Sequence, residues 1–248
     1  MNNYKLVLAY DGSRYNGFQA QKNSENTIQQ AIELRLNEIF SKDIKIIASG
    51  RTDAGVHAEN QVINFKIDEE IDLSSFLALI NKKLPGSISV KEINKMPEDF
   101  HARFDAKSKI YEYRILNAPY PNPFLRKYAY FYPETLDIKE MEKASRLFTG
   151  IHDFRAFSSG SGKKSTTREI YSIKIERDKD LVKIIYHGNG FLYNMVRIIT
   201  GTLIQISEKT LSEEDILRAF QRNERGIAGF TAPPQGLFLQ EVIYSKMI

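Results

Sequence analysis

The chain has 248 residues, 42% hydrophobic and 27% charged, which supports a folded core in one large or two smaller domains and excludes disorder over most of its length. It contains no cysteine, so disulfides, thiolate zinc sites and a thiolate nucleophile are all excluded. The net charge of +4 is uneven: residues 1–105 carry 13 basic and 15 acidic side chains and residues 106–248 carry 22 and 16, an asymmetry that suits a polyanionic partner or serves solubility alone.

The sequence opens Met-Asn-Asn-Tyr-Lys-Leu-Val without a signal-peptide core, and no apolar run is long enough for a bilayer span. A cytoplasmic protein with no membrane partner is expected. In chain order, apolar and alternating runs predict strands at 4–10, 44–49, 61–67 and 88–93. Between them, Thr27-Ile-Gln-Gln30 reads as a capping box that starts a helix with Ile28, Ile32, Leu36, Ile39 and Phe40 on its buried side. A second helix follows Asp72, with Leu73, Phe76, Leu77, Ile80 and Leu84 at helical spacing. The order β-α-β-β-α-β is that of a ferredoxin-like unit.

The second half nearly repeats it. Strands are predicted at 110–116 and 128–132, and a helix from Asp137 carries Met141, Ala144, Leu147 and Phe148 on one side. Strands at 169–177 and 181–186, a helix at 191–206, a short helix from Ser212 and a last strand at 236–244 complete the series. The expected fold class is α+β: two ferredoxin-like halves, 1–105 and 106–248, forming one extended, mostly antiparallel sheet with helices on one face and the other face free for a ligand. No Gly/Pro-rich linker interrupts 104–108, so fused halves are expected, not mobile domains.

Several familiar motifs fail on inspection. Gly160-Ser-Gly-Lys-Lys-Ser-Thr lacks the leading Gly of a P-loop, where Phe157 stands, and has Lys164 where Ser or Thr should follow Gly-Lys. Gly188-Asn-Gly190 begins like a dinucleotide fingerprint, but Tyr193 replaces the third Gly. The four histidines show no metal-ligand spacing, so no metal is expected.

The segment that invites a chemical reading is Ser49-Gly-Arg-Thr-Asp-Ala-Gly-Val-His-Ala58. Gly50 and Gly55 allow sharp turns and close approach of a ligand, and between them stand a cation (Arg51), a hydroxyl (Thr52) and an acid (Asp53). The plain alternative is an Asp that caps its own turn, with His57 as a hydrogen-bonded packing residue. On a helical wheel of 191–206, Leu192, Met195, Val196, Ile199 and Leu203 form the buried stripe, and Arg197 lies opposite with Tyr193, Asn194, Gly201 and Gln205. That side either faces solvent or lines a cleft. Between Arg155 and Arg168 run four cations and no acid, a loop that suits phosphates or simply stays solvated.

The 49–58 segment resembles the active-site loop of the tRNA pseudouridine synthase A family, in which the Asp of Gly-Arg-Thr-Asp is catalytic. Other stretches resemble the family in the same order along the chain: Tyr10-Asp-Gly-Ser-Arg-Tyr-Asn-Gly-Phe-Gln19, Phe100-His-Ala-Arg-Phe104, Lys109-Ile-Tyr-Glu-Tyr-Arg114, Asn189-Gly-Phe-Leu-Tyr-Asn-Met-Val-Arg197 and Ala232-Pro-Pro-Gln-Gly-Leu-Phe-Leu239. The resemblance implies a pseudouridine synthase fold, a cofactor-free isomerase and action on uridines 38 to 40 of the tRNA anticodon arm by a homodimer. It implies that Asp53 is the catalytic carboxylate and Arg197 its cation, that Tyr111 stacks on the target base, that Arg51 helps extrude it, and that Leu237 packs near the uracil. Three other readings compete: a non-catalytic RNA-binding protein, a hydrolase using Asp53 and His57, and a synthase with another RNA target.

Overall fold

The computed structural model describes residues 1–21, 26–160 and 165–245. The chain divides into two compact units, Met1–Lys107 with Phe238–Ile248, and Ser108–Leu237. The last strand, read with the second half from sequence, thus joins the first unit for almost all its length, because it returns to pair with a strand there.

In the first unit the elements are β1 (Asn2–Tyr10), α1 (Ile28–Phe40), β2 (Ile47–Ala48), β3 (His57–Ile67), α2 (Leu73–Lys83) and β4 (Ile88–Met96). β1 lies between β4 and β3, antiparallel to both, and β2 pairs antiparallel with β3, so the predicted β-α-β-β-α-β order folds with ferredoxin-like neighbours. β3 is long enough to take a second partner. Its first residues pair in parallel with β10 (Leu237–Tyr244), Phe238 opposite His57 and Leu239 opposite Ala58. One face of this sheet presents Tyr4, Leu6, Leu8, Ile63 and Phe65, all essentially buried, and Phe40 of α1 and Phe76 of α2 pack their rings on Phe65. The Thr27 hydroxyl accepts the Gln30 amide as predicted, but the Gln30 side chain meets that hydroxyl, not the Thr27 backbone, so the box is only half closed.

The second unit contains β5 (Ala106–Leu116), β6 (Tyr130–Phe131), α3 (Ile138–Ser145), β7 (Gly150–Asp153), β8 (Thr167–Asp178), β9 (Leu181–Gly188), α4 (Met195–Ser207) and α5 (Glu213–Arg222). β9 pairs antiparallel with β5 and β8, β8 with β7, and β6 lies parallel to the end of β5. β7 has no counterpart among the predicted strands; at four residues with a glycine start it is too short to show a period. Residues 191–194, predicted helical, form the entry to α4 instead. Asn194 adopts φ 61°, a left-handed conformation that a continuous helix does not accommodate. Tyr186 of β9 lies opposite Tyr111 and shares a hydrogen bond with Thr200 of α4 (2.8 Å), which places Tyr111 on the sheet face toward α4.

Candidate active site

In the first unit the loop between β2 and β3 is shaped mainly by its backbone. Phe18 N–H donates to Thr52 O (3.0 Å), Val56 N–H to Asp53 O (3.1 Å) and Ser49 N–H to Val62 O (2.8 Å). Of the two glycines expected to turn it, Gly55 alone has a positive φ (79°), and Gly17 (φ 90°) brings the neighbouring turn so close that a Cβ would lie 3.0 Å from Thr52 O. A side-chain clamp adds to this: the Tyr10 phenol and the Thr52 hydroxyl share a buried hydrogen bond of 2.8 Å. Burial pushes the Tyr10 phenol up to about 12, so it stays neutral and the clamp does not titrate near neutral pH. Gln61, fully buried, accepts from Ser49 Oγ (2.6 Å) and donates to Gly50 O (3.1 Å).

Held between these ties, Asp53 is half-buried and Arg51 is exposed. Arg51 makes no ion pair among the described residues. His57 is 1% exposed; its Nδ1 accepts the Gly12 N–H (3.2 Å), and its ring stacks on Phe238 at 4.6 Å. An Asp11 carboxylate oxygen also approaches Nδ1, at 3.4 Å. Enclosed in this way, His57 packs within the loop, as the plain reading of the sequence predicts.

In the second unit Arg197 stands in the first turn of α4. Its Nε donates to Ala232 O (2.7 Å) and Nη1 to Asn194 Oδ1 (2.8 Å), two contacts that aim the guanidinium. The Tyr113 hydroxyl donates to Pro233 O (2.7 Å), and a Cβ on Gly236 would lie 2.7 Å from Arg114 O and 2.8 Å from the Tyr113 ring. Burial holds the Tyr113 phenol well above its ordinary value, while the nearby Arg197 charge pulls it down. The stretch 232–237, ending at the buried Leu237, is therefore pinned by Arg197 from α4 and by Tyr113 from β5. Tyr111, two residues before Tyr113, is 7% exposed and packs edge-on against Phe191 at 5.2 Å.

The polar side of α4 differs from the sequence reading. Residues 229–232 cover it: Gly229 N–H donates to Thr202 Oγ1, Phe230 N–H to Gln205 Oε1 and Ala232 N–H to Arg197 O. Gly201 serves that cover, since a Cβ there would lie 2.0 Å from Phe230 O. In the basic loop, Arg155 is 3.7 Å from Asp153, and Arg168 donates to the carbonyls of Ser165 and Thr167; residues 161–164 lie outside the described residues. Among the described residues no three His, Asp or Glu side chains cluster as a metal site would require.

Asp53, Arg51 and Thr52 belong to the first unit, and Arg197, Tyr111 and Leu237 to the second. Sequence reasoning missed Tyr10, Tyr113 and Asn194, which position the others. Tyr113 carried a usable signal, a second Tyr at strand period from Tyr111; the roles of Tyr10 and Asn194 depend on contacts remote in sequence or on an unusual φ.

The chain thus combines a mixed α+β fold, a glycine-bounded acidic loop and a cation anchored on a helix, and it has no thiol. Residues 6–105 and 144–245 match the sequence profile described as tRNA pseudouridine synthase. The chain is 46% identical to tRNA pseudouridine synthase A of Bacillus sp. (strain KSM-64), across 98% of this chain and 100% of that protein. It is 42% identical to tRNA pseudouridine synthase A 2 of Bacillus cereus (strain ZK / E33L), across 98% and 99%, and 41% identical to tRNA pseudouridine synthase A of Thermoanaerobacter sp. (strain X514), across 98% and 100%. The chain belongs to the tRNA pseudouridine synthase family.

Proposed function

We propose that this protein isomerises uridine to pseudouridine in tRNA, at positions 38 to 40 of the anticodon arm, with Asp53 as the catalytic carboxylate. The observation that carries the reading is the rigid presentation of a half-buried Asp53 by a loop whose neighbours are fixed through Thr52, Tyr10 and Phe18. The reaction breaks N1–C1′, turns the uracil and joins C5 to C1′; a proton leaves C5 and one is gained at N1, so no atom enters or leaves overall. It requires no redox partner and no group donor. Asp53 acts on the ribose side, as nucleophile at C1′ or as base.

To act, the carboxylate must stay ionised while RNA encloses it. Burial alone would neutralise it, and a nearby cation opposes that shift. Arg197 is assigned this role; its bonds to Ala232 O and Asn194 Oδ1 fix the direction of its guanidinium. Tyr111 stacks on the target base, an interaction of about 1–3 kcal/mol that offsets part of the unstacking cost. At 7% exposure the ring engages a base only after local opening. Arg51, exposed on the loop, assists extrusion, and Leu237 packs against the uracil.

The protein is further assigned to the cytoplasm, where its substrate is made, and to a homodimer. Support for self-association comes from residues 119–128, where Tyr120 (80% exposed) and Phe124 (88%) stand beside the half-buried Leu125 with Arg126 as neighbour. A segment with exposed aromatics and arginine and no acid has the composition of an interface core. Light scattering should give twice the chain mass for the parent and the single-chain mass for Phe124→Asp. The principal test is a map of pseudouridine in tRNA from cells lacking the protein: loss confined to positions 38–40 supports the assignment, and an unchanged map refutes it.

A further inference from the structure

Residues 97–105 of the first unit are fixed in a way that the chemistry at Asp53 does not require. Two fully buried amides hold them. Asn3 Nδ2 donates to Phe100 O (2.8 Å) and Pro97 O (3.1 Å), Asn64 Nδ2 donates to Asn3 Oδ1 (2.9 Å), and Asn64 Oδ1 accepts the Ala102 N–H (2.9 Å). From β10 the Tyr244 hydroxyl donates to Ala102 O (2.6 Å), and its ring packs on Phe100 at 5.4 Å. Above the buried Ala102 the chain makes a tight turn: His101 N–H donates to an Asp105 carboxylate oxygen (2.8 Å), Asp105 N–H to His101 O (3.1 Å), and His101 Nδ1 accepts the amides of Arg103 (3.2 Å) and Phe104 (3.3 Å).

This frame displays a ring to solvent. Phe104 is 74% exposed, yet its position is defined: the His101 ring stacks on it at 4.1 Å and the Arg103 guanidinium lies 6.0 Å from its centroid. A stable protein interface needs a contiguous apolar core. Here the sequence around the ring is His101, Arg103, Asp105 and Lys107, and one isolated aromatic with a cation suits a nucleobase and its phosphate. Of the acids near the tip, Asp105 accepts the His101 amide and Glu98 meets the amino terminus at 3.3 Å.

We propose that Phe104 and Arg103 form a second tRNA contact, in which Phe104 stacks on an unpaired base and Arg103 meets an adjacent phosphate. This rests on tRNA being the substrate. The tip sits over Asn64, whereas the catalytic loop adjoins the start of β3; the six residues from Ala58 to Asn64 span roughly 20 Å at about 3.3 Å each. The contact is therefore remote from the reacting uridine, and it acts on affinity and not on the chemical step.

Binding and turnover of unmodified tRNA by the full-length protein test this. Phe104→Ala should raise Kd and KM by about 5–50-fold with kcat within about twofold, and Phe104→Tyr should restore the parent values. Arg103→Gln should weaken binding and lower the salt slope of log K by about one. The thermal midpoint should not move in any of the three, because the ring and guanidinium are exposed. An unchanged Kd for Phe104→Ala, or a loss that Phe104→Tyr does not rescue, would overturn the proposal. A fall in mass by light scattering would do so too, since the ring's partner would then be a second copy. If the parent binds tRNA but forms no pseudouridine, the catalytic reading fails, while the Kd ratios still decide the role of the tip.

Discussion

Loop 49–58 and the 194–197 turn of α4 hold their charged side chains by contrasting means. The loop is fixed by main-chain hydrogen bonds at Ser49, Thr52, Asp53 and Val56 and by the contact of Gly17 with Thr52 O. Arg197 is placed by its own side chain, which bonds Ala232 O and Asn194 Oδ1. The difference teaches where substitution separates chemistry from structure. Replacing Asp53 leaves the loop's main-chain hydrogen bonds in place, whereas replacing Arg197 removes a charge and also the bond from its side chain to Ala232 O.

Asp53→Asn is the cleanest way to isolate chemistry. It should keep tRNA affinity and lower pseudouridine formation by about 10⁴-fold or more; turnover close to the parent's would rule out the carboxylate as the reacting group. Arg197→Met should give a mixed phenotype, with a rate loss of about 10²–10³-fold and an acid limb of the pH–rate profile moved upward. The sign follows from the cation: without it the carboxylate binds its proton more readily, so activity disappears at a higher pH. An acid limb that stays in place would detach Arg197 from Asp53.

Two glycines compare the regions by stability. A Cβ on Gly12 would lie 1.9 Å from Val56 O beside the catalytic loop, and one on Gly201 would lie 2.0 Å from Phe230 O beneath the cover of α4. Each Gly→Ala change should cost about 1–3 kcal/mol by overpacking against backbone, read as a lower denaturation midpoint. Gly12→Ala should depress kcat beyond its effect on stability, and Gly201→Ala should loosen 229–232. Equal effects on both readouts would erase the proposed contrast.

The smallest effect is expected far from both regions. At the start of α5 the Ser212 hydroxyl caps the Asp215 amide while the Asp215 carboxylate accepts the Ser212 N–H, a complete capping box. That backbone bond, with the Ser212 hydroxyl and then Arg218, holds the Asp215 carboxyl below its ordinary value of 3.8. A lowered folded value means that the stabilisation is fully present above about 3.8 and is lost as pH falls through the lower folded value. Asp215→Asn should therefore melt a few degrees or less below the parent at pH 7, and the gap should close in acid; a constant gap would point to packing instead.

Much of the fold was legible because its signals are local. Thr27, Asp72, Asp137 and Ser212 each precede a helix and each cap it, and the alternation in 4–10 and 110–116 marks strands that β1 and β5 contain. Illegible parts depend on partners distant in sequence. β7 is a strand because β8 lies beside it, 44–49 shrinks to the two residues that reach β3, and 191–194 leaves the helix at a left-handed Asn194. The α4 wheel placed Gly201 and Gln205 correctly on one side but could not show that 229–232 lies over it.

By itself the sequence narrowed the chemistry open to this protein: with no cysteine, covalent chemistry falls to a carboxylate, a hydroxyl, a lysine or a histidine. It also determined the order of helices and strands, because capping and periodicity act over a few residues. Tertiary structure alone decided how each group is held: that Thr52 is clamped by Tyr10, that His57 is shut in by Gly12 and Phe238, and that Arg197 bonds a carbonyl 35 residues away. Such ties satisfy buried polar groups through whatever partner the fold brings near, and no local pattern records which partner that is.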